Sequence, residues 1–332
     1  MSINDIIKAL KTELKKVISG YDDIQDAVII ALLADGHVLL ESVPGLAKTT
    51  LIIALQAAIS DSKRARIQMT PDLKPGDIVG TRIFNLKTGE FETVYGPVVG
   101  VNLLLADEIN RATPKAQSAL LEAMQERRVT VAGTAVTLED PFLVLATMNP
   151  IEQEGTYPLP EAQLDRFCFK LRLDYVSRQD EVGILKNTSV HGRDAAGKIV
   201  PVISTGQIRE IRKMIQEKVV VSDAALEYIV DIVRATRPGD SLFNKYMKKD
   251  LDGKVQVGAS PRAQIWIMRT AQVRAALANR SFVTPDDIKA VAPDVLRHRI
   301  ILSQVAQLEG YTTDTAVRAV LNNLRIIEPK TK

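Results

Sequence analysis

Two short unbroken apolar runs constrain this chain most, Leu103-Leu104-Leu105-Ala106 and Phe142 to Ala146. A strand wetted on one face alternates apolar and polar residues. A run without alternation belongs to a strand covered on both faces, as in a parallel sheet between helical layers. Polar residues follow each run, Asp107-Glu108 after the first and Asn149-Pro150 shortly after the second. Between them Thr113-Pro114 opens a helix by cap and first-turn proline, with Ala116, Ala119, Leu120, Ala123 and Met124 on one face. Upstream, His37 to Leu40 reads as another buried strand, followed by a turn and a helix from Lys48 to Ile59. The rhythm is βαβ, so the fold class is α/β with a parallel sheet core.

Two segments interrupt that rhythm. Thr81 to Tyr95 alternates around Lys87-Thr88-Gly89-Glu90, and Val129 to Leu138 around Ala132-Gly133-Thr134. Both read as inserted β-hairpins with turn glycines. After about Tyr175 the character changes. Gln207 to Glu217, Asp223 to Arg234, Pro261 to Ala278 and Pro285 to Val291 carry helical periodicity, two of them behind Ser-Pro or Thr-Pro starts. Residues 1–175 are therefore expected to form the α/β domain and 176–332 an all-helical one. Pro238 to Gly258 reads as a loop or insertion.

The 332 residues are 46% hydrophobic and 25% charged, enough for two domains with sizeable cores. Forty-three basic and 40 acidic side chains leave a net charge of +3, too balanced for an electrostatic footprint on nucleic acid. The basic clusters Lys63-Arg64-Ala65-Arg66 and Arg297-His298-Arg299 read as solvated faces. The single cysteine, Cys168, sits between Phe167 and Phe169 and reads as a buried small hydrophobe. One cysteine fits a reducing, cytoplasmic setting. No apolar run approaches the ~20 residues of a membrane span, and the N-terminus lacks a signal-peptide pattern.

Ser42-Val43-Pro44-Gly45-Leu46-Ala47-Lys48-Thr49 follows a strand and opens a helix. Bound phosphate needs main-chain N–H donors, a helix N-terminus and a cation, and this segment offers all three. Lys48 would face the β- and γ-phosphates and the Thr49 hydroxyl would hold Mg²⁺. Val43, Pro44, Gly45, Leu46, Ala47, Lys48, Thr49 and Thr50 are the candidate phosphate-binding residues. The strict pattern G-x-x-x-x-G-K-[ST] is broken twice, by Ser42 and Ala47. Alanine entering a helix needs no positive φ. If the first position required positive φ, serine there would cost ~1 kcal/mol, and glycine would relieve it.

Asp107 and Glu108 end a buried strand, where Asp107 can hold Mg²⁺ and Glu108 can polarise an attacking water. Asn149 ends the next strand. Open α/β sheets bind ligands outside the carboxyl ends of their strands, so Asn149 is expected in the same crevice, orienting the water.

These segments, with Gln117 to Glu126, Ala146-Thr147-Met148-Asn149-Pro150, Leu159 to Phe167 and Gly258-Ala259-Ser260-Pro261-Arg262-Ala263, resemble the MoxR family of AAA+ ATPases over nearly the whole chain. The resemblance implies a P-loop AAA+ core followed by an all-α lid. It implies that Arg166 is an arginine finger serving a neighbouring subunit and that Arg262 is a second sensor at the start of a lid helix. It implies that Val17, Ile18 and Gly20 line the adenine. Always-charged, forked guanidinium groups suit the charge that builds on a γ-phosphoryl group. The simpler alternatives are an Arg166 ion pair with Asp165 and a solvated Arg262.

The expected activity is Mg²⁺-dependent ATP hydrolysis in a ring, a hexamer, driving chaperone-like maturation of, or metal insertion into, client protein complexes. The resemblance also implies a partner bearing a von Willebrand factor A domain. The alternatives are a metal-chelatase motor, a DNA-directed motor, and a nucleotide-dependent binding module with weak hydrolysis.

Overall fold

The unbroken apolar runs lie side by side inside a five-stranded sheet. A computed structural model of the chain describes residues 3–43, 46, 48–150, 155–191 and 195–324, with backbone alone for 186–191, 195 and 196. The strands are β1 (Val38–Ser42), β2 (Arg64–Gln68), β3 (Leu103–Asp107), β4 (Leu143–Met148) and β5 (Phe169–Leu173), in the order β5-β1-β4-β3-β2. β1 with β4, β4 with β3 and β3 with β2 are parallel. Parallel neighbours need crossovers, which the intervening helices supply. Leu103 to Ala106 and Leu143 to Ala146 are 0% exposed, as unbroken runs between two layers must be.

β2 forms the sheet edge and was not legible as a strand. Arg64, Arg66 and Gln68 are exposed and Ile67 is buried. Charged side chains on an edge discourage pairing with another chain. The basic cluster read as a solvated face is thus part of the sheet.

The helices of the first unit include α1 (Ile3–Lys15), α2 (Asp22–Leu33), α3 (Lys48–Ala57) and α4 (Pro114–Glu126). α3 stops before its expected end because Ile59–Ser60 pairs in parallel with Ile203–Ser204. That pairing belongs to the first compact unit, which comprises residues 1–167 and 171–211.

Both hairpins form. Gly80–Asn85 pairs with Glu90–Tyr95, and Arg128–Val131 with Thr134–Thr137. In the second, Ala132 (φ 51°) and Gly133 (φ 85°) both lie in the left-handed region, as a two-residue turn matched to strand twist demands. Gly80 must be glycine: its φ is 117°, and a Cβ would stand 2.6 Å from the Val94 carbonyl oxygen.

The second unit comprises residues 168–170 and 212–332. Its main helices are α5 (Asp223–Arg234), α6 (Pro261–Leu277), α7 (Pro285–Leu296) and α8 (Thr313–Asn323). The Ser222 hydroxyl accepts the Ala225 N–H, so α5 begins on a side-chain cap. The stretch read as a loop is more ordered than expected. It holds a π-turn at Phe243–Met247, a helical turn at Lys248–Leu251 and a strand at Val255–Val257 that pairs antiparallel with Ile301–Leu302. Phe243, Met247 and Leu251 are buried four residues apart, a period hidden by the short window and flanking glycines. Cys168 is fully buried, and burial pushes its thiol far above the ordinary range. Among the described residues no helix is long and apolar enough to cross a membrane.

Candidate functional site

β3 ends at Asp107, and the backbone then enters the left-handed region at Glu108 (φ 57°, ψ 53°). A non-glycine residue there costs about 1 kcal/mol, strain of a kind that gathers at working sites. One buried hydroxyl serves both acids. Thr147 Oγ1 donates to Asp107 Oδ1 at 2.7 Å and accepts the Glu108 N–H at 2.8 Å, and Thr147 is 0% exposed.

Two further carboxylate oxygens are held largely from the edge strand. Arg66 Nη2 donates to Asp107 Oδ2 at 2.6 Å, and Gln68 Nε2 donates to Glu108 Oε2 at 2.8 Å. Arg111 Nη1 also donates to Glu108 Oε2, at 2.9 Å. Arg66 and Gln68 are two residues apart on β2, hence on one face, and Gln68 stands in register with Asp107. Sequence reasoning missed Arg66, Gln68, Arg111 and Thr147 as partners of the acids. The alternation Arg64-Ala65-Arg66-Ile67-Gln68 was the available signal. What it lacked was the identity of the neighbouring strand.

At the end of β1, Ser42 is 2% exposed and lies in strand conformation, outside the positive-φ residues. The φ penalty considered for it therefore does not arise. Its hydroxyl donates to the Val43 carbonyl at 3.2 Å. Lys48 Nζ, at the start of α3, donates to the Ser42 carbonyl at 3.4 Å. Thr49 and Thr50 follow in the first turn, half-buried, and Leu46 precedes them half-buried. First-turn N–H groups of a helix have no intrahelical acceptor. Pro44, Gly45 and Ala47 lie outside the described residues.

Past α1 the chain makes one more turn, with the Val17 and Ile18 N–H groups both bonded to the Leu14 carbonyl. Ile18 is buried and Val17 half-buried. Gly20 has φ 74°, and a Cβ there would meet Val176 Cγ1 at 2.9 Å and Asp180 Cγ at 3.2 Å. A side chain there would be strained by the positive φ and would have to displace Val176. Gln25 Nε2 donates to the Gly20 carbonyl at 3.0 Å.

Asn149 follows β4 directly and is 4% exposed. Arg166 comes two residues after the short helix Glu161–Leu164 and is half-buried. Among the described residues it has no ion-pair partner, so the alternative of a pair with Asp165 is not realised. It lines an open polar groove of about 550 Å³ with Ser118, Glu122, Glu126, Arg128 and Gln163. No member of the Asp107–Glu108 cluster lines that groove. Arg262 belongs to the second unit, at the second position of α6, its N–H bonded to Ser260 Oγ at 3.2 Å.

Residues 37–169 match the ATPase family associated with various cellular activities (AAA), and residues 248–320 match the AAA lid domain. A crystal structure of a Cytophaga hutchinsonii protein, assigned as an ATPase, superposes with a TM-score of 0.90 at 42% identity, covering 98% of this chain and 96% of that one. Together with the sheet order and the helical second unit, this defines a AAA+ ATPase with its lid. Among relatives, YeaC of Bacillus subtilis is 46% identical over 94% of this chain and 92% of its own. Chaperone MoxR1 of Mycobacterium tuberculosis is 43% identical over 95% of this chain and 80% of its own. The chain belongs to the MoxR family.

Proposed function

We propose that this chain hydrolyses ATP with Mg²⁺ and uses the cycle to remodel client protein complexes from a homo-oligomeric ring, a hexamer. The observation that carries the hydrolytic part is the single buried hydroxyl of Thr147, which fixes Asp107 and the Glu108 backbone together. Two adjacent carboxylates with different hydrogen-bond partners can take different roles. The donor set also fits the metal. A threonine hydroxyl and a carboxylate are hard oxygen ligands of the kind Mg²⁺ takes, with water completing the shell. When bound, the ion neutralises charge on the phosphate oxygens.

In this reading Lys48 and the first-turn N–H groups of α3 bind the phosphates, with the loop residues Val43 to Ala47 around them. Thr49 and Asp107 hold the metal. Glu108 accepts a proton from the attacking water, and Asn149 orients that water. Val17, Ile18 and Gly20 line the base. Arg166 reaches a neighbouring chain's γ-phosphate, and Arg262 senses nucleotide from the lid. The name of the chaperone MoxR1 relative supports a chaperone-like role. A von Willebrand factor A partner and a client complex complete the reading.

A steady-state ATPase assay tests it. Turnover should need Mg²⁺ and vanish with chelator. Glu108→Gln should retain ATP in a calorimetric titration and cut turnover by about 100-fold or more, because an amide does not take the water's proton. Parent-rate turnover by that variant would remove Glu108 as the base.

A further inference from the structure

Gln117 lies in α4 and is 0% exposed. Its Nε2 donates to two carbonyls, Ile109 O at 3.1 Å and Tyr157 O at 3.0 Å. Both neighbours are acceptors only, so the amide must turn its nitrogen toward them. Its Oε1 is then left buried with no hydrogen-bond partner among the described residues. A buried unpartnered acceptor is costly and rare, and a residue that carries one calls for a reason beyond packing. Leucine or methionine would fill the same space without that orphan.

The two carbonyls belong to different parts of the site. Ile109 follows Glu108 directly, in the tight turn Ile109–Arg111. Tyr157 lies in the segment leading to Arg166. The same two stretches meet a second time, where the Tyr157 N–H donates to the Asn110 carbonyl at 2.6 Å. The next residue of α4 reaches further along that segment: Ser118 Oγ accepts from Gln163 Nε2 at 3.3 Å. The Arg166 N–H in turn donates to the Gln163 carbonyl at 3.2 Å. The segment that carries Arg166 is thus pinned at Tyr157 and again at Gln163, and the first pin also grips the turn behind Glu108.

We propose that Gln117 is a positioning residue for Arg166, anchoring the arginine's segment on the turn that follows Glu108. Each chain's own acid and the arginine it presents elsewhere are thereby held in one register. This rests on Arg166 acting at a γ-phosphate. Gln117 is 0% exposed and acts through the segment that carries Arg166, with the turn after Glu108, held independently by Thr147, as the fixed end of the anchor.

Gln117→Met keeps length and burial and removes both donors. The expected kcat falls about 10- to 100-fold, the scale of a small misplacement of a reacting group. ATP affinity by calorimetry stays within about twofold, because the phosphate loop is untouched. In a chain already carrying Arg166→Ala, adding Gln117→Met changes kcat by less than about twofold, since the group it positions is gone. Equal losses in both backgrounds would overturn the proposal and leave Gln117 a general support of the fold. An Arg166→Ala chain that turns over at the parent rate overturns the arginine reading itself. A slow Arg166→Ala chain beside a fast Gln117→Met chain overturns the Gln117 assignment alone. Hydrogen exchange gives a reading that needs no variant. In the parent chain the Tyr157 amide should exchange at least about 100-fold more slowly than a free amide, and its free exchange would overturn the anchor.

Discussion

The Thr147 hydroxyl donates to Asp107 Oδ1 at 2.7 Å. A hydroxyl has one proton, so the same oxygen is left to accept the Glu108 N–H, which it does at 2.8 Å. The strained backbone at Glu108 is held in place by that second bond. Thr147→Val keeps the shape and removes both bonds. It strands the part-buried Glu108 N–H, at about 1 kcal/mol. The expected result is a turnover loss of about 10- to 100-fold with nucleotide still bound, since the acids shift while the segment around Lys48 stays. A single-turnover assay beside a binding titration separates the two. Thr147→Ser should recover most of the rate, because it restores the hydroxyl.

Much of this arrangement was legible beforehand, for a definite reason. β3 and β4 are buried on both faces, so their apolar runs carry no alternation, and polar residues follow directly on each. Both hairpins announced themselves through turn glycines. Arg66 and Gln68 were hidden because β2 is an edge strand with one buried residue, Ile67, and so carries no apolar pattern. Their role depends on standing beside β3, a relationship between residues some forty positions apart. Thr147 was inside a recognised segment, yet its partners follow from the β3–β4 pairing and not from its neighbours in sequence. Segment 243–257 was missed because its buried positions span barely two turns.

Ser42 illustrates how a backbone angle changes a prediction. Its substitution for the usual glycine suggested strain that Ser42→Gly would relieve. In strand conformation there is no such strain, so tighter nucleotide binding on that ground is not expected. Ser42→Gly should leave ATP affinity within about twofold and lower stability by roughly 0.5–1 kcal/mol, the entropic cost of glycine in a strand. Calorimetry and a urea midpoint check the two parts. A large affinity loss would mean that the hydroxyl, now on the Val43 carbonyl, contacts phosphate.

In the second unit, stability should carry an acid-labile component from Asp287. Its carboxylate is 2% exposed and takes a two-pronged contact from Arg280, with Nη1 and Nη2 each at 2.6 Å. The Thr284 N–H and hydroxyl add bonds at 2.9 and 2.7 Å. Burial pushes the Asp287 carboxyl up, but these donors outweigh it and hold the carboxyl below its ordinary value. A lowered folded pKa gives stability that is present above the unfolded value of about 3.9 and lost as pH falls through the folded one. Urea midpoints should therefore drop steeply below about pH 4. Arg280→Ala leaves the carboxylate buried without its fork, costing about 3–5 kcal/mol at neutral pH. The variant's folded pKa rises, so its acid loss should begin at higher pH than the parent's. Parallel midpoints for the two chains from pH 3 to 7 would show that the pair contributes nothing.

Arg166 lines an open groove away from the Asp107–Glu108 cluster and has no ion-pair partner among the described residues. A half-buried guanidinium with no ion pair among the described residues can meet an anion from outside the chain. If that anion is a neighbour's γ-phosphate, Arg166→Ala should bind ATP normally and hydrolyse it about 10³-fold or more slowly. Glu108→Gln should be equally inactive for a different reason. Mixed together, the two variants form interfaces where an intact Glu108 on one chain meets an intact Arg166 from the next. Such interfaces should regain activity, with a maximum near equal proportions, provided sites can fire independently. Specific activity of the parent chain should also rise with concentration as assemblies form. A parent chain of constant specific activity that remains a monomer by sedimentation would refute a shared site. Arg166 would then have to act within its own chain, and mixing the two variants would restore nothing.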